Sequence, residues 1–558
     1  MMNEFDFMQH LVDGATKRVQ HFLNIQVKDS DAPDFGSMKG DVIEGKPLIY
    51  TLATAAALYC CPNNEFYHDE QLLAAMNLGM DFVGRWQREN GALDYPVCNF
   101  NSAADTSFCF KRLISAWRIF RQYEPDGENS NVDALKGKLE AVMKRALCMI
   151  RDGGFHTPNH RWAITAALMQ GHNLFGEEIP GLMERANAYL AEGIDGSADG
   201  EYAERSTGNY NAVVNNAMLA MYEESHDPVY LGYVVRNLHM MLTYIDPDDT
   251  VFTQNSTRQD QGKKVWLDGY FYQYLYVASL SDEEAGEYAK YRAECDAAAH
   301  KIILDNYRRG DLAPDCLHVI VRHPRMMKYI FSGYGYLDAY RKFYEDAGVL
   351  RVKKDAYGYS VLKGKSAFLY IKFGAVPIFV KIGESVGYSR NFLPETMEVT
   401  EHGCTLTSTI YTEYLQPFGA YQGTSDWWKM DHSKREHLKN GELTIRLAIE
   451  EEENGLRLGL KAEGLSRIPL RVQICLPAQA ILENEHFHLR TEEGGWMILK
   501  DDFVNLCMDD QVIEIGPGFG THAFGGHYSG EETNLGGYTL YLNDYTPYEH
   551  EISIRKKH

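Results

Sequence analysis

The sequence has no run approaching the ~18 apolar residues that a membrane-crossing helix needs. It has no basic excess either: 55 Lys and Arg stand against 78 Asp and Glu, a formal net charge of −23. Nucleic-acid binders depend on a basic surface, so that class is excluded, and any acidic ligand must be held by a local basic pocket. No CxxC or CxxH zinc spacing links the ten cysteines, and no P-loop, GxSxG elbow or HExxH helix occurs. GPGFGTHAFGG (516–526) is glycine-rich but lacks the strand–turn–helix setting of a phosphate loop. The first residues, MMNEFDFMQHLVDGATKRVQ, are amphipathic rather than basic and then apolar, unlike a secretory signal. Most cysteines sit in apolar runs such as ALYCC and LCMI, which suits buried free thiols. The expectation is a cytoplasmic protein with no membrane and no nucleic-acid partner. The sequence leaves its oligomeric state open, a homo-oligomer included.

What is present is a chain of 558 residues, 45% hydrophobic, long enough for more than one core without disulfide or metal staples. Up to about residue 350 apolar residues recur every three or four positions, as in LIYTLATAAALYC (48–60), SFCFKRLISAWRIFRQY (107–123) and YNAVVNNAMLAMYEES (210–225). That spacing predicts about a dozen helices joined by short polar loops, an array of αα-hairpins over 1–350. From 351 to 558 the period shortens to two, as in SAFLYIKFG, LTIRLAI and LRVQICL, which predicts a sandwich of antiparallel sheets.

Two polar clusters stand out in the helical region. The first is DGGFHTPNHRWAITAALMQ (152–170), which crowds His156, Asn159, His160 and Arg161 ahead of a helix and adds Trp162, whose flat face suits a sugar. Taken alone, Asn159 caps the helix and His160 is a first-turn surface residue. The second is GSADGEYAERSTGNYNAVVNN (196–216), with Tyr202, Glu204, Arg205 and Tyr210 on a loop entering a helix. Tyr210 lies about one hairpin unit beyond His160, so a closed array would bring both to one rim. Taken alone, Tyr210 is one of 36 tyrosines with a packing role.

An Asn-His at a helix start, followed one hairpin later by a DG…E-R…Y loop, resembles the heparinase II/III-like polysaccharide lyases and their alginate and oligoalginate lyase relatives. The specific resemblance covers about 152–216; the rest is similar in architecture. It implies an incomplete (α/α) toroid followed by an antiparallel β-sandwich, an α+β multidomain protein. It also implies cleavage of uronic-acid glycosides in an acidic oligo- or polysaccharide by β-elimination. On that resemblance Asn159 and His160 neutralise the C5 carboxylate, stabilising charge that grows in the transition state. Tyr210 serves as acid or base, with Arg205 favouring its phenolate, and no cofactor is required.

The family's junction His is missing: the segment reads Arg351-Val352-Lys353-Lys354, with Lys353 in its place. Three outcomes stay open: Lys353 substitutes as a catalytic residue, His323 or His402 reaches in, or the activity is altered. A third segment, TQNSTRQDQGKKVWLDGYFYQYLY (253–276), brings Arg258, Lys263 and Lys264 beside Trp266, Tyr270, Tyr272 and Tyr274. Arg258 and Tyr270 are the substrate-binding candidates there, since cations beside aromatics suit an acidic sugar. An earlier loop, DYPVCNFNSAADTSF (94–108), carries Asn99, Asn101 and Asp105. Asp105 there is either an N-cap or a groove residue.

In the β-region His402, His432, His437, His486, His488, His522 and His527 are numerous. His486-Phe487-His488 places two imidazoles on one side of a strand, the one hint of a structural metal. Two further readings compete with the lyase. A toroidal glycoside hydrolase would need paired carboxylates drawn from Asp105, Asp199, Glu204 and Asp260. A non-catalytic acidic-glycan-binding protein would need neither.

Overall fold

The computed structural model describes residues 5–387, 389–522 and 534–557, so His527 lies outside the described residues. The chain forms two compact units. One comprises Met1–Tyr244 and Thr250–Tyr336, the other Ile245–Asp249 and Leu337–His558.

The first unit is helical. Its helices are α1 (Phe7–Ile25), α2 (Lys46–Cys60), α3 (Glu70–Trp86), α4 (Ala103–Tyr123), α5 (Ser130–Asp152), α6 (Pro158–Phe175), α7 (Leu182–Leu190), α8 (Tyr210–Ser225), α9 (Pro228–Leu242) and α10 (Phe271–Ala278). Then come α11 (Asp282–Ala285), α12 (Arg292–Arg308), α13 (Leu317–Ile320) and α14 (Pro324–Met327). The sequence sorts the longer helices into two layers. In α2, α6 and α8 most residues are buried and the buried ones are spread around the helix rather than along one stripe, which marks an inner layer. In α3, α5 and α7 apolar residues occupy one stripe, and these form an outer layer. α2 packs on α4, α4 on α6 and α6 on α8, while α3, α5, α7 and α9 pack behind them; α12 contacts both α10 and α1. This is a double-layered (α/α) toroid. Each outer helix returns antiparallel, so the inner helices run in one sense and their N-termini share a rim. Lys46 at the start of α2 accordingly meets Asp105 in the first turn of α4 at 2.8 Å.

The second unit is built from two nine-stranded sheets. The first runs in order through β1 (Tyr340–Tyr344), β2 (Val349–Lys353), β3 (Gly358–Leu362), β4 (Leu369–Phe373) and β5 (Val376–Val386), then Pro469–Pro477, Gly537–Tyr545 and Trp496–Ile498. All its pairings are antiparallel except the last. The second sheet is antiparallel throughout, with the long hairpin Gly403–Leu415 and His437–Glu452 near one edge. Leu350, Ile378, Val472 and Leu540 of the first sheet share one core with Leu406, Ile445, Leu458 and Ile552 of the second. Two sheets closing on a common apolar layer make a sandwich.

The expected boundary at 350/351 falls inside β2, because YRKFY and VLRVK already pair as β1 and β2. The five-residue piece Ile245–Asp249 belongs to this unit through polar contacts. The Ile245 carbonyl accepts from the Tyr340 hydroxyl at 2.8 Å, and Asp246 pairs with Arg351 at 2.9 Å. Asp248 pairs with Lys372 at 2.7 Å. Arg351 is only 1% exposed and also donates to the Tyr340 hydroxyl at 2.7 Å. Removing one partner of such a buried pair strands the other charge, at a cost of about 3–5 kcal/mol. Arg351→Met is therefore expected to lower the thermal midpoint of the second unit by many degrees, and an unchanged melting curve would refute this account.

Candidate active site

The rim formed by the first turns of α4, α6 and α8 gathers the polar residues that the sequence singled out. α6 begins with Thr157 as N-cap and Pro158 at its first position, and no cap side chain bonds its free N–H groups. A carboxylate from outside the helix does so instead. Glu204 Oε2 accepts from the Asn159 backbone N–H at 3.0 Å and from its Nδ2 at 2.8 Å. A negative group there also complements the positive end of the helix. The other oxygen, Oε1, lies 3.2 Å from Arg258 Nε. The Arg258 guanidinium in turn sits 5.4 Å from the centre of the Tyr210 ring, a cation over an aromatic face. Tyr210 is the first residue of α8; its N–H donates to Ser206 Oγ at 3.0 Å and its hydroxyl to Gln259 at 3.3 Å. Asn159, Glu204, Arg258 and Tyr210 thus form one chain of contacts, and His160 borders it.

His160 is partly buried, edge-on to Phe108 at 5.7 Å and to the exposed His156 at 4.6 Å between ring centres. Burial, then the neighbouring His156, pushes its pKa down to about 4; Arg258 and Lys46 add to this and Asp105 opposes it. The imidazole is therefore neutral near pH 7. Nδ1 is buried without a partner. An unmet acceptor costs less than an unmet donor, so we place the ring proton on Nε2.

Beside it, Asp105 accepts from Lys46 at 2.8 Å and from Asn99 at 2.9 Å, and Lys46 stands 4.0 Å from the centre of the Tyr95 ring. Burial raises the Asp105 carboxyl, but Lys46, Asn99 and Ser102 outweigh it and hold it below the usual carboxylate range. The N-cap of α4 is Ser102, which accepts from the Asp105 N–H at 3.1 Å; Asp105 itself faces Lys46.

Several expectations are corrected by the geometry. Asn159 is wholly buried and is not the N-cap, and both its Nδ2 hydrogens are engaged, by Glu204 and by Thr157 Oγ1 at 3.2 Å. It has no donor left for a substrate carboxylate, so it positions Glu204 instead. Trp162 is 0% exposed, donates to Asp195 and carries the Arg161 guanidinium 4.3 Å from its ring centre, so it offers no face to a sugar. Arg161 donates to the Tyr189 carbonyl at 2.6 Å and the Gly193 carbonyl at 2.7 Å, which ties it to the end of α7. Tyr202 is buried and donates to Asn215 at 2.9 Å. Asn215 donates onward to Asn237 at 2.8 Å and Gln273 at 3.0 Å. Tyr270 is buried and donates to the Thr207 carbonyl at 2.6 Å. These are the supports of the 196–210 loop rather than its binding face. Gly200 belongs to the same frame: its φ is +95°, and a Cβ there would meet the Arg236 carbonyl at 2.3 Å.

Arg205 has φ +50° and its charge lies near the buried Glu201, which burial pushes up to about 7. The guanidinium over Tyr210 is that of Arg258. His323 pairs with Glu223 at 3.0 Å, thirteen residues along α8 from Tyr210. At 1.5 Å per residue that is about 20 Å away, out of reach. Lys353 belongs to β2 in the second unit and donates to the Leu337 carbonyl at 3.3 Å, and His402 lies in the second unit near Glu401. Lys46, Tyr95 and Phe108 were missed by the sequence reading; the Lys46–Asp105 pair joins residues 59 positions apart, with no local pattern to mark it.

The acid pairs required by a hydrolase are tied up. Asp260 accepts from Ser206 at 2.8 Å, Ser256 at 2.6 Å and the Gly208 N–H at 2.9 Å, while Asp105 and Glu204 hold cations. None of the ten cysteines is paired, and most are buried. In the second unit only His488 of the His486/His488 pair lies in a strand, and it bonds Glu483 at 2.7 Å. Among the described residues the one cluster with metal-ligand proximity is Glu485, His486 and Asp502, all exposed. No described helix is long and apolar enough to cross a membrane.

The class this architecture defines is a helical toroid followed by a β-sandwich, and solved structures with the same fold are polysaccharide lyases. A Paenibacillus xanthan lyase matches all of this chain at TM-score 0.59 and 10% identity. This chain spans only 58% of that protein's length. Heparinase III matches all of this chain and 86% of its own at TM-score 0.52 and 10% identity. A heparan sulfate lyase mutant from Pedobacter heparinus matches 97% of this chain and 82% of its own at TM-score 0.51 and 10% identity. No family model and no curated protein matches the sequence.

The electrostatics of the rim carry a direct test. His160 should titrate near 4 by NMR, and His156→Ala should move it upward. Because the folded-state value lies below the ordinary 6.5, the burial penalty acts fully below pH 4 and is gone above 6.5. His160→Leu should therefore flatten the rise of stability with pH across that window. A His160 resonance titrating at 6.5 would overturn the geometry described.

Proposed function

We propose that the protein is a polysaccharide or oligosaccharide lyase that cleaves uronic-acid glycosides by β-elimination at the α4–α6–α8 rim. The observation that supports this best is the Arg258 guanidinium over the Tyr210 ring with the neutral His160 imidazole within its electrostatic reach. Arg258 is ion-paired through Nε with Glu204, and its Nη groups have no hydrogen-bond partner among the described residues. That leaves the forked end for bidentate capture of the C5 carboxylate. The neutral His160 donates Nε2–H to the carboxylate oxygen on which charge accumulates as the C5 proton leaves. A donor fixed in place beforehand needs no reorganisation at that moment. Tyr210 carries the proton: entering as the phenolate, its oxygen takes the proton from C5, the C5 electron pair becomes the C4=C5 double bond, the C4–O4 bond breaks, and the phenol so formed gives that proton to O4, which restores the phenolate. Asn159 holds Glu204, and Glu204 holds Arg258. The fold neighbours named as polysaccharide lyases support the reaction class.

Incubation with a panel of uronate oligosaccharides should give products absorbing in the ultraviolet, with a mass lower by one water than hydrolysis products. Tyr210→Phe should lower kcat by about 10²–10⁴ while leaving KM within a few-fold. Arg258→Met should act mainly on KM. Saturated products from the wild type, or full turnover by Tyr210→Phe, would defeat the proposal; binding without turnover in every case would point to a glycan-binding protein.

A further inference from the structure

Below the rim, α4, α6 and α8 carry their inward faces deeper into the ring. Phe108, which packs against His160, also lines a narrow cavity of about 20 Å³. That cavity shares Lys111, Gln170 and Asn216 with a second one of about 70 Å³. The second shares Glu223, Tyr276 and Arg322 with an open pocket of about 790 Å³ towards the C-terminal ends of α4 and α8. The middle cavity is thus closed towards the rim by a neck and opens on the opposite side.

Its lining has one positive charge too many. Arg112 pairs with Asp315 at 2.9 Å, and Arg322 with Glu223 at 2.6 Å. His318 is uncharged: Arg112 Nη1 donates to its Nε2 at 2.6 Å, so its proton is on Nδ1, facing Ser115 Oγ at 2.9 Å. Tyr272 and Tyr276 are held as neutral phenols by burial. Lys111 is left over, and its ammonium has no partner among the described residues. Gln170 is 3% exposed, and its carboxamide has no partner among the described residues either. Asn216 Oδ1 accepts from Gln273 at 2.7 Å, which leaves its Nδ2 for the cavity. The buried Gln170 and the half-buried Lys111 and Asn216 thus bring polar groups from three helices to one space.

We propose that this cavity binds one small inorganic oxyanion of the sulfate or phosphate class, held by Lys111, Gln170 and Asn216 and entering from the side away from the rim. A cavity of about 70 Å³ has room for a small ion of this kind beside the three side chains. Burial, then Arg112, pushes Lys111 down to about 7 in the empty cavity, so an anion would both draw on that charge and fix it. The inference concerns binding alone and stands apart from the lyase reading.

The test is calorimetric titration of the full chain with sodium sulfate against a chloride background of constant ionic strength, with melting curves in parallel. One saturable site and a rise in melting temperature are expected below pH 7. Affinity should fall by about tenfold per unit well above pH 7, where the empty site loses its proton. Lys111→Met should abolish the saturable phase and, without sulfate, melt above the wild type, since an unpaired cation has been removed from the cavity wall. Gln170→Leu, which keeps the charge, should weaken binding about tenfold. Absence of a saturable phase in the wild type would overturn the proposal. So would equal binding in all three proteins, which would mark ions held elsewhere on the surface.

Discussion

The Glu204 carboxylate is the interaction on which the rim depends. It reaches across 45 residues of chain to close the open N-terminus of α6, and with its other oxygen it fixes Arg258 over Tyr210. A buried carboxylate is costly unless donors and a cation meet it. Here two N–H donors and one guanidinium do so, and in return three segments distant in sequence are held in register. The loop that carries Glu204 is itself anchored from behind by Tyr202, Asn215, Asn237 and Gln273, a fully buried amide network. Such networks are rigid when every member is satisfied. The rim residues therefore stand on a stiff support while Tyr210 and Gln259 remain accessible.

Burial first, and then its immediate neighbours, explain why the histidine is neutral in a chain with a large acidic excess. The net charge of −23 is spread over the whole sequence, whereas His160 faces Lys46, Arg258 and His156 at close range. Local geometry overrides the global field within a Debye length of about 10 Å. A neutral imidazole beside two ion-paired cations on an acidic protein is thus no contradiction.

Much of the fold was legible because periodicity reports burial directly. Helices such as α3 and α5 show one apolar stripe, and strands such as β4 alternate buried and half-buried residues along LYIKF. The site was legible at the level of segments and less so at the level of roles. Glu204 and Tyr210 of the motif lie with His160 at one rim, but the cation over Tyr210 is Arg258 of a third segment, not the Arg205 that the motif put there. Asn159, Trp162, Tyr202 and Tyr270 were assigned by residue type, and type does not tell which way a side chain points. Trp162 lies three residues beyond Asn159 in one helix, close enough to suggest a shared surface, yet its indole runs to Asp195 behind the rim. Lys46 and Lys111 left no trace because their significance rests on what surrounds them in space: a paired Asp105 in one case, an unmatched cavity in the other.

The five residues Ile245–Asp249 carry a consequence for how this protein can be divided. They interrupt the helical unit yet contribute two acids to the sandwich, where Arg351 and Lys372 neutralise them. The polypeptide therefore passes between the units three times, and no single scission yields two intact pieces. A fragment ending at Tyr336 would retain the two aspartates without their cations, and the excised sandwich would carry an uncompensated guanidinium in its interior. The halves are interleaved in folding even though each has its own core, so dissection calls for co-expression of both parts or a graft of that short piece.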